Sequence, residues 1–385
     1  MQYRINPKNN ERLSSLGFGC MRFNKDDNEV ERQIRYAIDN GVNYFDTAYM
    51  YTGNEARLGK ILSKDGLRDK VNIATKLPQY LVKNRADIEK MFNTELERLQ
   101  TDRIGYYLMH MMSDVDSWYR LEELGIVEWI EEKKRSGQIR NIGFSFHGVA
   151  QEFVNIIDAY EWDFCMIQYN YLDENYQAGN SGLKYAASKG LPVIIMEPLR
   201  GGTLVDKLPP AAQNVWDNAP IKRSYADWGL RWVWNHPEVI CVLSGMGTQE
   251  MVEENIRIAS EAKASILNEE ELKLYDIART KIREATKVTC TGCGYCVPCP
   301  KGVDIPMCFS SLNDTVIKGR FMSMYWYILT TKGHNASKCI KCGNCEKHCP
   351  QSIPIRKKLD QTKKELEGFP YKPMKFIMSK LLKSM

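Results

Sequence analysis

Four residues in the first third of the chain have the types and spacing to hand a proton to a newly formed alkoxide. The stretch Asn43-Tyr-Phe-Asp46-Thr-Ala-Tyr-Met-Tyr51 reads as a short buried strand ending in an acid, then a polar turn that presents a tyrosine. Val71-Asn-Ile-Ala-Thr-Lys76 ends a second strand in a lysine, and Ile104-Gly-Tyr-Tyr-Leu-Met-His110 ends a third in a histidine. A carbonyl that takes up hydride becomes an alkoxide and needs a proton as it forms. A free tyrosine, with a pKa near ~10, is a poor partner for that at neutral pH. A cation beside it favours the phenolate and lowers that pKa. Lys76 would be the cation, Asp46 would keep it charged and oriented, and His110 would hydrogen-bond the substrate oxygen. Taken singly, Tyr51 reads as a rim aromatic and His110 as a satisfied core histidine; together, in this order, the four read as a site.

Such a site needs strands that all deliver their last residues to one face, which is how a parallel α/β barrel works. The pattern supplies them. After a short hairpin over residues 1–14, turning at Asn9-Asn10, strands are expected at Leu16–Gly19, up to Asp46, and at Val71–Thr75, Ile104–Met109, Ile139–Phe144, Phe164–Gln168, Val193–Met196 and Val239–Leu243. Helical spacing fills the intervals, as in Ile88, Met91, Phe92, Leu96 and Leu99. Eight such βα units predict a (β/α)8 barrel rather than an open sheet. The intervals Met111–Tyr119 and Thr203–Pro220 read as variable loops, with Trp118, Tyr119 and Trp216 as candidate pocket aromatics. A helix over about Asn268–Glu284 leads out of the barrel.

The chain has 385 residues, room for one large domain and a small one. A formal charge of +5 is too small and dispersed to argue for nucleic acid. No apolar run is long enough to span a bilayer and no signal-peptide pattern opens the chain, so a cytoplasmic protein without a membrane partner is expected. Twelve cysteines in such a chain point to metal rather than disulfides. Nine of them follow residue 285, which sets the expected boundary between a barrel over 1–285 and a small α-helical domain over 286–385. The terminal stretch alternates Lys372, Lys375, Lys380 and Lys383 with Phe376, Ile377, Leu381 and Leu382. That pattern fits a membrane-surface helix, but docking of its apolar side on its own domain is the favoured reading.

The cysteines fall in two runs. Cys339-Ile-Lys-Cys342-Gly-Asn-Cys345-Glu-Lys-His-Cys349-Pro350 matches the bacterial ferredoxin spacing for a [4Fe–4S] cluster in full. Cys290-Thr-Gly-Cys293-Gly-Tyr-Cys296-Val-Pro-Cys299-Pro300 is one residue short before its last cysteine. Because the fourth cysteine of such a run ligates the other cluster, Cys290, Cys293, Cys296 and Cys349 are assigned to one cluster, and Cys339, Cys342, Cys345 and Cys299 to the second. Gly292, Gly294 and Gly343 suit a backbone that wraps tightly and points N–H groups at sulfur. A pair of zinc sites is the competing reading, but zinc has no need of three consecutive two-residue spacings. Cys308 is left as a buried thiol. Cys165 and Cys241 read as barrel packing, and Cys20 as packing at the edge of the pocket.

With the strand ends in place, the sequence resembles the aldo-keto reductase superfamily, on Asp46-x4-Tyr51, Ala74-Thr-Lys76 and Tyr107-Leu-x-His110. The resemblance spans roughly the first three-quarters of the chain, and the whole looks like an aldo-keto reductase with a C-terminal ferredoxin-like domain. It implies a nicotinamide dinucleotide lying across the barrel mouth without a glycine-rich Rossmann loop. Of the implied contacts, Ser145 is kept while the following asparagine is lost to Phe146. Gln168 is present, Met196 replaces an aromatic that stacks on the nicotinamide, and Glu254-Asn255 is retained on the last barrel helix. The phosphate-binding stretch Ser244-Gly245-Met246-Gly247-Thr248 lacks basic residues, so NAD(H) is favoured over NADP(H), which would want arginine or lysine at an extra phosphate.

The resemblance implies interconversion of a carbonyl and an alcohol on a small-molecule substrate. Clusters move single electrons and hydride moves a pair, so three arrangements stay open. The clusters could exchange electrons with a ferredoxin or other electron-transfer protein and drive the barrel site, with a flavin as a possible intermediary. They could be structural or sensing beside an ordinary reductase. Or the barrel could be a docking scaffold of an electron-transfer protein.

Overall fold

The computed structural model describes residues 1–331 and 333–381. These form two compact units: Met1–Arg200 with Arg223–Glu269, and Gly201–Lys222 with the described residues from Glu270 onward.

The first unit opens with an antiparallel hairpin, β1 (Tyr3–Ile5) and β2 (Arg12–Ser14). Eight parallel strands follow: β3 (Leu16–Gly19), β4 (Tyr44–Asp46), β5 (Asn72–Leu77), β6 (Ile104–Met112), β7 (Ile139–Phe146), β8 (Phe164–Gln168), β9 (Val193–Met196) and β10 (Val239–Ser244). They pair in sequence order, and β10 closes on β3, so the sheet is the expected closed barrel. Successive side chains of a strand face opposite ways, and this alternation builds the site. Tyr44, Ala74, Leu108, Met166 and Ile194 point into one apolar cluster inside the barrel, with Leu13 of the hairpin joining it. The next inward position toward the C-terminal end of each strand is therefore Asp46, Lys76, His110, Gln168 and Met196. On β3 the inward places are glycines: a Cβ at Gly17 would lie 2.7 Å from Leu243 and 2.9 Å from the Cys241 sulfur. The outward residue Thr75 donates to Glu55 Oε1 at 2.6 Å, and Arg98 pairs with that carboxylate at 3.0 Å. The strand that carries Lys76 inward is thus pinned from outside.

Two expected loops are partly helical. The interval after β6 contains a helix, Asp116–Glu123. It buries Trp118 against Tyr160 and Trp162, at ring separations of 4.8 and 4.6 Å, so Trp118 is a packing residue rather than a pocket aromatic. The interval Thr203–Pro220 carries helices Thr203–Asp206 and Pro210–Asp217 and belongs to the second unit. There Trp216 packs edge-on to Tyr275, 5.0 Å between ring centres. The interval between β7 and β8 is filled by the helix Ala150–Ala159.

The second unit is helical, with Ile305–Ile317, Gly319–Thr331, Ile355–Leu366 and Tyr371–Leu381 as its longer elements beside Glu269–Glu284. Val303, Ile305, Phe309, Leu312, Met324, Tyr327, Ile353, Leu359 and Leu366 form its core. Cys308 is buried there, its sulfur 3.7 Å from the Tyr327 hydroxyl, and burial pushes the thiol up to about 12. The last helix turns Tyr371 and Met378 inward, whereas Phe376, of the apolar side expected to dock, is exposed. Leu382 and Lys383 lie outside the described residues, as do the side chains of Ile377, Lys380 and Leu381.

Candidate active site and cluster ligands

Asp46, Tyr51, Lys76 and His110 come together at the C-terminal mouth of the barrel. Lys76 Nζ donates to Asp46 Oδ1 and to the Thr47 carbonyl, both at 2.6 Å, and all three residues are buried. The ammonium lies 5.1 Å from the centre of the Tyr51 ring, and the His110 ring meets Tyr51 edge-on at 6.1 Å. Burial raises the Asp46 carboxyl, and Lys76 pulls it back part of the way. The second oxygen, Oδ2, is buried with no partner among the described residues. Two acceptors thus fix the lysine nitrogen where it faces the phenol ring. Burial, then Lys76, then His147 hold the His110 imidazole well below the ordinary histidine range, so it is neutral at pH 7. A neutral imidazole can give one hydrogen bond to an oxygen without surrendering a proton. Cys20 is fully buried beside this pair: burial and Asp46 push its thiol up and Lys76 opposes them.

The residues implied for the dinucleotide sit on the same mouth, and several are engaged within the protein. Ser145 Oγ accepts from the Met111 N–H at 2.9 Å. Gln168 Nε2 donates to Asp173 Oδ2 at 3.0 Å. Asn255 Nδ2 donates to Ser244 Oγ at 3.0 Å. Met196 is half-buried above the barrel core and Glu254 is half-buried on helix Gln249–Glu261. Around Gly245 and Gly247 the backbone is open: a Cβ at Gly247 would meet nothing within 4 Å, and one at Gly245 only the Gly19 carbonyl, at 3.8 Å. Such exposed backbone at a helix start fits a phosphate. The Glu250 carboxyl on that helix's first turn is lowered first by its own backbone N–H and then by Thr248, with a smaller pull from Arg32, a cation missed by the local reading that is itself paired with Glu29.

In the second unit, Cys290, Cys293, Cys296 and Cys349 line one cavity, walled by Ile305, Phe309 and Ile353. The Cys296 thiol is pushed up to about 12 by burial first, then by Cys293, Cys290 and Cys349. The Cys345 thiol is pushed up to about 11 by burial first, then by Glu346, with Cys339 and Cys299 adding to it. Gly292, Gly294 and Gly343 have positive φ of 69°, 87° and 81°, the left-handed backbone the tight wrapping needs. A single zinc ion wants four donors about 2.3 Å from one centre. Four thiols lining a cavity fit a larger four-iron body.

Residues 15–276 match the Aldo/keto reductase family, and residues 289–353 match a 4Fe-4S dicluster domain. The chain belongs to the aldo/keto reductase family. It is an oxidoreductase with a dicluster domain that follows the barrel in the chain. Protein tas of Escherichia coli is 26% identical over 54% of this reductase and 70% of its own length. The uncharacterized oxidoreductase YqkF of Bacillus subtilis is 26% identical over 68% of this chain and 91% of its own. Among solved structures, aldo-keto reductase AKR11C1 from Bacillus halodurans, in its holo form, superposes with a TM-score of 0.61 at 26% identity, over 72% of this chain and 96% of that one. An aldo-keto reductase from Klebsiella pneumoniae in complex with NADPH gives 0.58 at 25%, over 72% and 95%.

Several groups at the mouth of this reductase escaped the sequence. Arg200, buried, places Nε 2.8 Å from Asp173 Oδ2, the same oxygen that takes the Gln168 amide. Glu197, at the end of β9, is pushed up to about 7 by burial, against the pull of Arg200. Glu197, Arg200 and Met111 have φ of 54°, 52° and 57°, a costly conformation for non-glycine residues that clusters at functional sites. His147, where the resemblance implied no role, is held at about 4 by burial. Its Nδ1 has no partner among the described residues. Nothing in residue order announces these contacts, which join loops after different strands.

His110 and His147, with His236 also lowered by burial, make a pH prediction. A histidine whose folded pKa lies below its unfolded value binds fewer protons folded than unfolded, so stability rises with pH across the gap. Its contribution is intact above about 6.5 and is lost as pH falls toward about 4 for His147. In urea unfolding of the reductase, His147→Gln should flatten the decline over that interval. A decline with the wild-type slope would exclude His147 as a source.

Proposed function

We propose that the barrel interconverts a carbonyl and an alcohol with a nicotinamide cofactor, in a protein whose region 286–385 carries two [4Fe–4S] clusters and follows a barrel over 1–285. The observation that carries this reading is the buried Lys76 ammonium, fixed at 2.6 Å by Asp46 and by Thr47 and lying 5.1 Å from the Tyr51 ring centre. A bound nicotinamide would supply or accept the hydride. Ser145, Gln168, Met196, Ser244, Gly245, Gly247, Glu254 and Asn255 would hold it. Tyr51 gives its hydroxyl proton to the oxygen in reduction and takes it back in oxidation. Lys76 stabilises the phenolate left behind, and Asp46 keeps the lysine aimed. His110, kept neutral, orients the substrate oxygen. Clusters fit the thiols: Cys290, Cys293, Cys296 and Cys349 for one, Cys339, Cys342, Cys345 and Cys299 for the other.

Cofactor preference is the next test. The absence of cations between Ser244 and Met251 favours NAD(H), and NADH is expected to bind more tightly than NADPH in a fluorescence titration. Much tighter NADPH binding would reverse the preference, and Arg32 would then be the cation to remove. Retention of a flavin through purification would favour the second reading, in which the dicluster domain drives the barrel site with electrons from a ferredoxin-like carrier. What supports that reading is the domain itself, since a hydride site with these four residues has no need of it. Cluster-depleted protein assayed with NADH alone separates the two: turnover is expected to persist, and its loss with the barrel still folded would favour cluster-driven chemistry.

A further inference from the structure

The helix Gly319–Thr331 buries Met324 and Tyr327 and leaves its other face bare. Phe321 is 63% exposed, with Met322, Tyr325 and Trp326 beside it at helical spacing. Arg320 donates to the Phe369 carbonyl at 2.9 Å, bringing the loop tip where Phe369 stands 86% exposed to the start of this helix. The helix Tyr371–Leu381 packs alongside, and Phe376 on it is exposed as well. Single exposed apolar residues are ordinary, but a run of large rings on adjoining elements marks an interaction surface. The charge around it is one-sided. No aspartate or glutamate occurs over 315–345 or 368–385, whereas Lys318, Arg320, Lys338, Lys341, Lys372 and Lys375 do. Lys318 is tied to Asp314 at 2.9 Å, Lys341 to Asp360 at 2.8 Å and Arg320 to backbone carbonyls, and Glu365 and Glu367 before the Phe369 tip are engaged by Lys287 and Tyr327, but Lys372 and Lys375 are exposed.

We propose that this face docks on the surface of an anionic bilayer, its rings at the boundary of the acyl chains and its lysines among the lipid phosphates. Aromatic rings with lysines and no acids are the composition that sits at such a boundary. The docking is interfacial and needs no spanning segment; no described helix is long and apolar enough to cross a membrane. Two copies meeting face to face would bring like charges together, with seventeen Lys and Arg against six Asp and Glu over 286–385.

The test is co-sedimentation of the anaerobic holoprotein with vesicles of phosphatidylcholine and phosphatidylglycerol, beside vesicles of phosphatidylcholine alone. Binding is expected to the mixed vesicles and to weaken with salt. Phe321→Ser with Trp326→Ser and Phe369→Ser should reduce it by more than about tenfold. Lys372→Gln and Lys375→Gln should each reduce it roughly fivefold. An unchanged iron content in every variant shows that the unit still folds. Absence of vesicle binding, or binding that the variants leave intact, overturns the proposal. So does a dimer in light scattering that the serine variants split, which makes the face a contact between copies. Retention on polyglutamate without vesicle binding overturns it in favour of an acidic protein partner.

Discussion

Replacing Tyr51 by phenylalanine should lower carbonyl reduction by roughly 10²–10⁴-fold, the range for loss of a positioned general acid. The change removes one hydroxyl from a half-buried residue on the turn after β4, so fold and iron content should stay as they are. Lys76→Met should cut the rate comparably by another route, since it removes the charge that favours the phenolate. It also strips Asp46 of the cation that pairs with it, leaving a buried carboxylate unpaired, which costs about 3–5 kcal/mol of stability. Lys76→Met with Asp46→Asn avoids that cost and should show the same rate loss in a better-folded protein. Tyr51→Phe and Lys76→Met should not multiply, because the lysine acts through the tyrosine. His110→Ala should mainly raise KM. Near-normal turnover of Tyr51→Phe in a steady-state assay would show that the barrel does not use this residue as its acid, and the cluster-driven reading would gain.

The second large effect is on iron. Anaerobically purified protein should carry about eight irons per chain, from two four-iron groups. If the fourth cysteine of each run serves the other cluster, Cys290→Ala with Cys349→Ala damages one cluster, and about four irons remain. Cys345→Ala with Cys349→Ala damages both, and iron should fall near zero. Ligation within each run reverses the two results, so one iron assay on the pair decides between them. Zinc at two per chain without sulfide would overturn the cluster reading altogether. Cys308→Ala should leave iron unchanged, its sulfur being spent in the core against Tyr327.

How much of this was readable in the residue order depends on whether the signal was local. Strand ends are local: an apolar run that stops at Asp46, Lys76 or His110 shows both the strand and the residue it delivers. Period-two alternation then makes each of these the next inward position after Tyr44, Ala74 or Leu108. Cysteine spacing is also local, and so the ligand set could be named from it. Helices with weak signals were lost. Asp116–Glu123 is only about two turns long, and Trp118 in it is taken out of the pocket by its partners Tyr160 and Trp162.

The sequence by itself determined the barrel, the dicluster domain and the four residues at the mouth, because each rests on a repeat or spacing that short-range sterics convert directly into structure. Only the tertiary structure decided what surrounds them. The Arg200–Asp173–Gln168 network, the approach of His147 to His110 and the place of Cys20 beside Lys76 join loops far apart in the chain. Burial set the protonation of Glu197 and both histidines, and burial is a property of the packed molecule that no residue carries alone. The same holds for the bare aromatic face of Gly319–Thr331. Its sequence reads as a core helix, and which of its sides meets the core is settled by the neighbours that pack on it.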